Sequence, residues 1–187
     1  QFMLVGCQAI SYLLALFAML RIYSPDGSIR QFIALRKTHA LYYPLGFVLG
    51  VASSLPANWL LEQIVARWPK EHDNLTFADM FFAAPAGERI AIAVAVALIG
   101  PFVEELLFRG AIFEGLRRGE PTRRVLVATS LFFAIVHPDP RSLFPIFLLG
   151  VALGYLRHCS GSMVPPVLMH IGFNGVAIVD LLRRDKA

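Results

Sequence analysis

Hydrophobic positions in this chain run in long unbroken blocks, not in the alternation of a half-buried strand. The stretch 2–20 contains no charged residue, and neither does 40–61. Each is about as long as the ~20 apolar residues that a membrane-spanning helix needs. Charged residues collect between the blocks, and the pattern predicts six membrane segments near 2–22, 41–65, 88–115, 124–138, 142–157 and 163–182. The fourth and fifth have apolar cores of only about 14 residues, short for a full span. They are expected inside the bundle or where the bilayer thins. Short connections between the last four segments favour antiparallel neighbours. The expected fold is therefore all-α, a polytopic transmembrane helix bundle. Segments and interfacial linkers over 1–87 precede a core of four membrane segments over 88–187.

The linkers carry weaker patterns. Ile29, Phe32, Ile33 and Arg36 fall at helical spacing among basic residues, which predicts a helix lying on the membrane surface. Thr76 followed by Asp79 reads as a capping box opening a short helix, with Phe77, Met80, Phe81 and Phe82 facing lipid or the bundle. Asn74-Leu75-Thr76 matches a glycosylation sequon, a weak signal alone.

Composition strengthens the membrane reading. Hydrophobic residues make up 57% of the 187 and charged residues 16%, against ~25% charged in a soluble domain. The stretch 2–20 has no basic flank before it and no A-x-A site after it, so it is read as a membrane segment and not as a signal peptide. The formal charge of +4 sits mostly at helix ends, where it anchors and orients. Loops carrying Arg21, Arg30, Arg36, Lys37, Arg117, Arg118, Arg123, Arg124 and Arg157 form the more basic set and are expected in the cytoplasm, while the basic tail at Arg183, Arg184 and Lys186 argues the other way, so the sequence does not fix the orientation. No basic face suited to nucleic acid is visible, so no nucleic-acid partner is expected. Cys7 and Cys159 are too few for a disulfide framework or a zinc set.

Ionisable residues inside membrane segments are costly and are functional candidates by default. Three groups stand out. In the third segment, Glu105 and Arg109 are four apart, so they share a helical face and can pair. Glu104 lies five before Arg109, points elsewhere and is left available for chemistry. His137 precedes Pro138 and so belongs at the end of its helix. His170 and Asn174 are four apart on one helical face. Each group alone has a plain explanation: a structural ion pair, a hydrogen-bonded core histidine, interhelical polar glue. Depth favours a common site. Glu104 is thirteen residues from Arg117, and His137 thirteen from Arg124, which places both roughly 20 Å from the basic loop. With the last helix starting near Pro165, Asn174 lies roughly 14 Å deep. Gly150 and Gly154 form a Gly-x-x-x-Gly pair that allows close helix contact nearby.

The ordered motifs E-E-x-x-x-R, F-x-x-x-H and H-x-x-x-N on successive hydrophobic segments resemble the CPBP family. That family comprises the type II CAAX prenyl endopeptidases and the bacterial Abi-type proteins related to bacteriocin immunity. The likeness covers about half the chain, from Glu88 to Leu182, and the Phe147, Gly150, Gly154 segment fits it. The first two segments show no motif that can be assigned. The resemblance implies a glutamate-dependent intramembrane endopeptidase in which Glu104 activates water and His137 helps to position it. His170 and Asn174 would stabilise the oxyanion, with Glu105 and Arg109 in support. It also implies membrane lipid and a membrane-associated or lipid-modified peptide as partners. The compact chain resembles bacterial members, so the bacterial inner membrane is the expected location.

Elementary chemistry agrees. Peptide hydrolysis needs an activated water and hydrogen-bond donors for a developing oxyanion. A desolvated carboxylate, an imidazole and a carboxamide supply these without a cofactor. Zinc is the rival, since Glu104, His137 and His170 could be three ligands. However, the H-E-x-x-H pattern is absent and Asn174 is a poor zinc ligand, so the metal-free reading is preferred. Outside catalysis, the same cluster could serve a non-catalytic scaffold or a bacteriocin-immunity-type binding protein. A proton-coupled transporter would more naturally show an internal repeat, and none is seen. The sequence does not fix the substrate, the cleavage position or the oligomeric state.

Overall fold

The computed structural model describes residues 2–23, 33–69 and 77–184. Seven helices follow in order: α1 (Phe2–Tyr23), α2 (Tyr42–Arg67), α3 (Phe77–Ala83), α4 (Ala86–Leu116), α5 (Thr122–Ile135), α6 (Leu143–Ser160) and α7 (Val164–Arg184). The described residues contain no strand. By length and composition α2, α4, α7 and the stretch Pro140–Ser160 can each cross a membrane, and α1 contributes the shorter apolar run Ile10–Ile22. Many large apolar side chains point outward: Leu14, Phe17, Leu55, Trp59, Ile90 and Phe132 are all exposed. Such a surface is stable in hydrocarbon and not in water. The protein is an integral membrane protein with a polytopic helical bundle.

The short fourth segment is found: α5 has 14 residues, roughly 21 Å of helix against a hydrocarbon core of ~30 Å. The expectation of a short fifth segment is corrected. A 3₁₀ turn, Pro140–Ser142, runs directly into α6, giving 21 residues in all. Pro140 and Pro145 sit in first turns, where a missing N–H costs nothing. The Asp139 carboxylate accepts from the Arg141 N–H and caps the turn.

Glycines set the closest helix contacts. A Cβ on Gly46 of α2 would stand 2.5 Å from the Pro165 carbonyl oxygen, and one on Gly50 would overlap the Met169 carbonyl. From the other side, a Cβ on Gly172 of α7 would come within 2.6 Å of the Phe47 carbonyl oxygen. Backbone therefore meets backbone along α2 and α7, the use of Gly-x-x-x-Gly expected in a membrane. Gly46-x-x-x-Gly50 is thus a packing motif in the second segment. The pair Gly150 and Gly154 acts as expected, taking α6 up against Ser130 and Leu126 of α5.

The surface helix expected in the first linker is not formed where the chain is described. Ile29 and Phe32 lie outside the described residues, and 33–40 is a turn followed by irregular chain. Ala34 is fully buried with φ +52°. Its carbonyl accepts from the Met163 N–H at 3.1 Å. The Thr38 hydroxyl donates to the Ser160 carbonyl at 2.7 Å, and the Ser162 hydroxyl to the Arg36 carbonyl at 2.6 Å. The segment is thus stapled into the α6–α7 corner, where Gly161 caps α6 with φ +67°. Gly110 makes room for it, since a Cβ there would stand 3.2 Å from the Ile33 Cα. In the second linker, Asn74 and Thr76 fall outside the described residues. Phe81 of α3 is fully buried and packs with Ile92, Ile178 and Leu181.

Candidate active site

The helix that carries the acidic pair is irregular in a way the sequence explains. Two π-helical segments, Ala95–Ile99 and Leu106–Ile112, interrupt α4. In the first, N–H groups reach back five residues, as Gly100 does to the Ala95 carbonyl. The next residue is Pro101, which has no N–H, so the Val96 carbonyl lacks that donor. The Asn174 side chain supplies one, donating from Nδ2 at 2.9 Å. In the second segment the Phe113 N–H bonds the Gly110 and Phe108 carbonyls and bypasses Arg109. The Arg157 Nε–H takes the bypassed Arg109 carbonyl at 3.1 Å. Both π-turns therefore lend a backbone acceptor to a polar side chain of another helix, a common circumstance near functional sites.

The predicted pair is present. Arg109 Nη1 donates to Glu105 Oε1 at 2.8 Å, and both side chains are fully buried. Arg109 Nη2 donates to the Gly150 carbonyl at 3.0 Å. The guanidinium stacks 4.3 Å above the Phe133 ring. His170 of α7 places Nδ1 3.1 Å from the same Glu105 oxygen and Nε2 3.8 Å from Glu104 Oε2. His170 thus stands between the two carboxylates. With its Nδ1–H given to Glu105, Nε2 of the neutral ring carries a lone pair facing Glu104.

Phe133 organises the aromatic side of the site. Its ring makes edge contacts with Phe108, His137 and His170 at centroid distances of 5.3, 5.1 and 5.6 Å. His137 lies just past the end of α5, as Pro138 requires, with Nδ1 2.7 Å from the Phe133 carbonyl. That bond fixes the Nδ1–H tautomer in the neutral ring and leaves Nε2 as an acceptor. Both imidazoles lie within electrostatic range of Glu104.

All six sequence-predicted residues are placed. Glu104, Glu105, Arg109 and His170 meet directly, His137 joins them through Phe133, and Asn174 stands one turn beyond His170, tied to the wall of α4. The division of labour between the acids is visible in exposure. The Glu105 side chain is 0% exposed and neutralised, while that of Glu104 is 15% exposed with no hydrogen-bond partner among the described residues. No three His, Cys, Asp or Glu side chains among the described residues are arranged to hold a metal ion.

A second ionic cluster escaped sequence reading. The loop position expected for Arg157 is corrected. The residue is fully buried in the last turn of α6, with Nη2 2.7 Å from Glu114 Oε2. Arg36 and Arg117 also reach Glu114, at 2.9 and 3.2 Å. The available signal was Glu114, an acid late in an apolar segment, opposite an arginine that precedes its loop by several residues.

The buried pair gives a direct test. Arg109→Ala leaves the Glu105 carboxylate buried without its cation, and breaking a buried pair costs ~3–5 kcal/mol. A marked fall in melting temperature and in yield is expected in detergent. Unchanged melting would mean that the pair contributes nothing to the bundle.

Residues 86–176 match the family model for type II CAAX prenyl endopeptidase, Rce1-like proteins. Over 98 residues the chain is 30% identical to the membrane-embedded CAAX protease MroQ of Staphylococcus aureus (strain USA300). That alignment covers 49% of this chain and 40% of the relative's length. No solved structure matches. The matched segment contains every one of the six residues and runs in the order of the E-E-x-x-x-R, F-x-x-x-H and H-x-x-x-N motifs. Over residues 86–176, just under half of its length, the chain is similar to the type II CAAX prenyl endopeptidase Rce1-like family, in agreement with the CPBP resemblance carried by its motifs.

Proposed function

We propose that this chain is an intramembrane endopeptidase that hydrolyses a peptide bond in a membrane-associated or lipid-modified peptide or protein. The observation that carries the proposal is Glu104, a carboxylate without a hydrogen-bonded partner beside a second carboxylate that is fully neutralised. Unpaired acids are expensive at this depth, and a catalytic base is a reason to keep one. Glu104 takes a proton from water as the water oxygen attacks the scissile carbonyl carbon. The carbonyl oxygen becomes an oxyanion. Asn174 has a second Nδ2–H beyond the one given to Val96 and can donate it there. His137 helps to place the water through Nε2. Collapse of the tetrahedral species expels the amine, which takes its proton from Glu104. His170 serves the oxyanion only when doubly protonated. In its neutral form it donates from Nδ1 to Glu105, and its Nε2 stands beside Glu104 without bonding it.

In this reading residues 88–187 are the catalytic core, and α2 braces α7 behind His170 and Asn174. No cofactor is needed, and no step passes through zinc. The named relative is a bacterial protein, which fits an inner-membrane location. The test is hydrolysis by the purified chain, in detergent, of a panel of prenylated peptides, membrane-anchored precursors and C-terminal anchor peptides. Cleavage of one class at a single bond is the expected result. A folded protein that binds such peptides but cleaves none would favour the immunity-type binding reading.

A further inference from the structure

The ionic cluster around Glu114 has more positive charge than it can use internally. Three guanidiniums, Arg36, Arg117 and Arg157, converge on one carboxylate. Arg157 is wholly buried, and its Nη1 has no hydrogen-bond partner among the described residues. Beside the cluster opens a cavity of about 340 Å³, lined by Phe113, Glu114, Arg117, Arg118, Thr122 and His158. Arg118 and His158 have no ion-pair partner among the described residues. Glu114, already shared among the arginines, is the cavity's one acidic group.

The start of α5 adds to the imbalance. Thr122, in its first turn, lines the cavity, and no side chain caps the helix. Its first turn holds no acid but does hold Arg123 and Arg124. A helix N-terminus already carries partial positive charge and ordinarily attracts acids. Among the described residues only Arg124 of these two is relieved, by Glu120 at 3.2 Å. Two guanidiniums, a histidine and the first residue of α5 therefore line one concave space. The location matters too. The stretch Ala86–Leu116, long and apolar enough to cross a membrane, ends at the residue before Arg117, so the cavity lies at the end of a span, where a bilayer places its headgroups.

We propose that this cavity binds a phosphate group, donated by an anionic phospholipid headgroup or by a small phosphorylated solute. Arg117, Arg118 and His158 would be its direct ligands, with Thr122 and the α5 N-terminus completing the cradle. A phosphate carries the charge the cluster lacks and accepts several hydrogen bonds at once. Binding there would also bear on the candidate active site. Arg157 joins Glu114 to the Arg109 carbonyl, and Arg109 holds Glu105.

The experiment uses the full chain in nanodiscs of phosphatidylcholine, with or without phosphatidylglycerol, and reads retained lipid by native mass spectrometry. Wild type should retain about one phosphatidylglycerol in preference to phosphatidylcholine. Arg117→Gln/Arg118→Gln should weaken that retention about 30-fold, from the loss of two basic contacts near a lipid surface. His158→Ala should weaken it less, and Arg183→Gln, in the last turn of α7, not at all. In phosphatidylcholine alone, stabilisation by millimolar inorganic phosphate that is lost in the double variant assigns the cavity to a soluble phosphate. Melting curves show whether each variant is folded. Should the double variant not fold, His158→Ala and Arg118→Gln singly carry the comparison. Equal retention of both lipids by wild type, or equal retention by wild type and folded variants, with no phosphate effect, overturns the proposal.

Discussion

Glu104→Gln is expected to lose peptide hydrolysis by ~10²-fold or more while the bundle keeps its melting temperature. The substitution preserves shape and length, and the residue makes no hydrogen bond that a carboxamide would break. It removes the one group placed to take a proton from water. The contrast with its neighbour makes the result specific. Glu105 is fully buried and holds Arg109 and His170 at 2.8 and 3.1 Å. Glu105→Gln would therefore leave Arg109 uncompensated and lower stability and activity together. A loss confined to kcat in Glu104→Gln, beside a loss of both in Glu105→Gln, is the pattern that assigns the base to Glu104. Wild-type turnover by Glu104→Gln removes it from the mechanism.

The pairing of Glu105 with Arg109 was legible in the sequence because the spacing of four survives the local π-helix. Membrane segments were legible because hydrocarbon demands long apolar runs, and six of the seven helices lie where those runs are. Other features were hidden for physical reasons. The role of Asn174 depends on a carbonyl left without its donor, which follows from Pro101 only once the π register of Ala95–Ile99 is known. The direct contacts of His170 with the two glutamates were hidden because helical spacing shows one face of one helix, and these contacts are made across helices. Arg157 was misplaced because a basic residue near a helix end ordinarily marks the interface. Here the chain from Ile33 to Ala40 folds over that end and buries it. Gly46 and Gly50 carry the Gly-x-x-x-Gly spacing in the sequence, but the partner backbone that they admit is set only by the packing of α2 on α7.

Asn174→Ala is expected to lower kcat by ~10²–10³-fold with little change in KM, the usual effect of losing one oxyanion donor. The geometry adds a complication that can be turned into a test. Asn174 also satisfies the Val96 carbonyl, and an acceptor left bare inside the bundle costs ~1–3 kcal/mol. A stability defect could therefore pass for a catalytic one. Pro101→Ala separates the two, because it restores an N–H at the position whose donor Val96 lacks. In the double variant Asn174→Ala/Pro101→Ala, melting should recover while kcat stays low. Recovery of both would reduce Asn174 to a clamp between α7 and α4. Metal content measured on the same preparations decides the remaining chemistry. Active wild type with far less than one metal per chain, beside an inactive but stable double variant, supports the glutamate mechanism. Stoichiometric zinc whose removal abolishes activity, and whose return restores it, would instead make Glu104, His137 and His170 ligands and leave Asn174 outside the reacting shell.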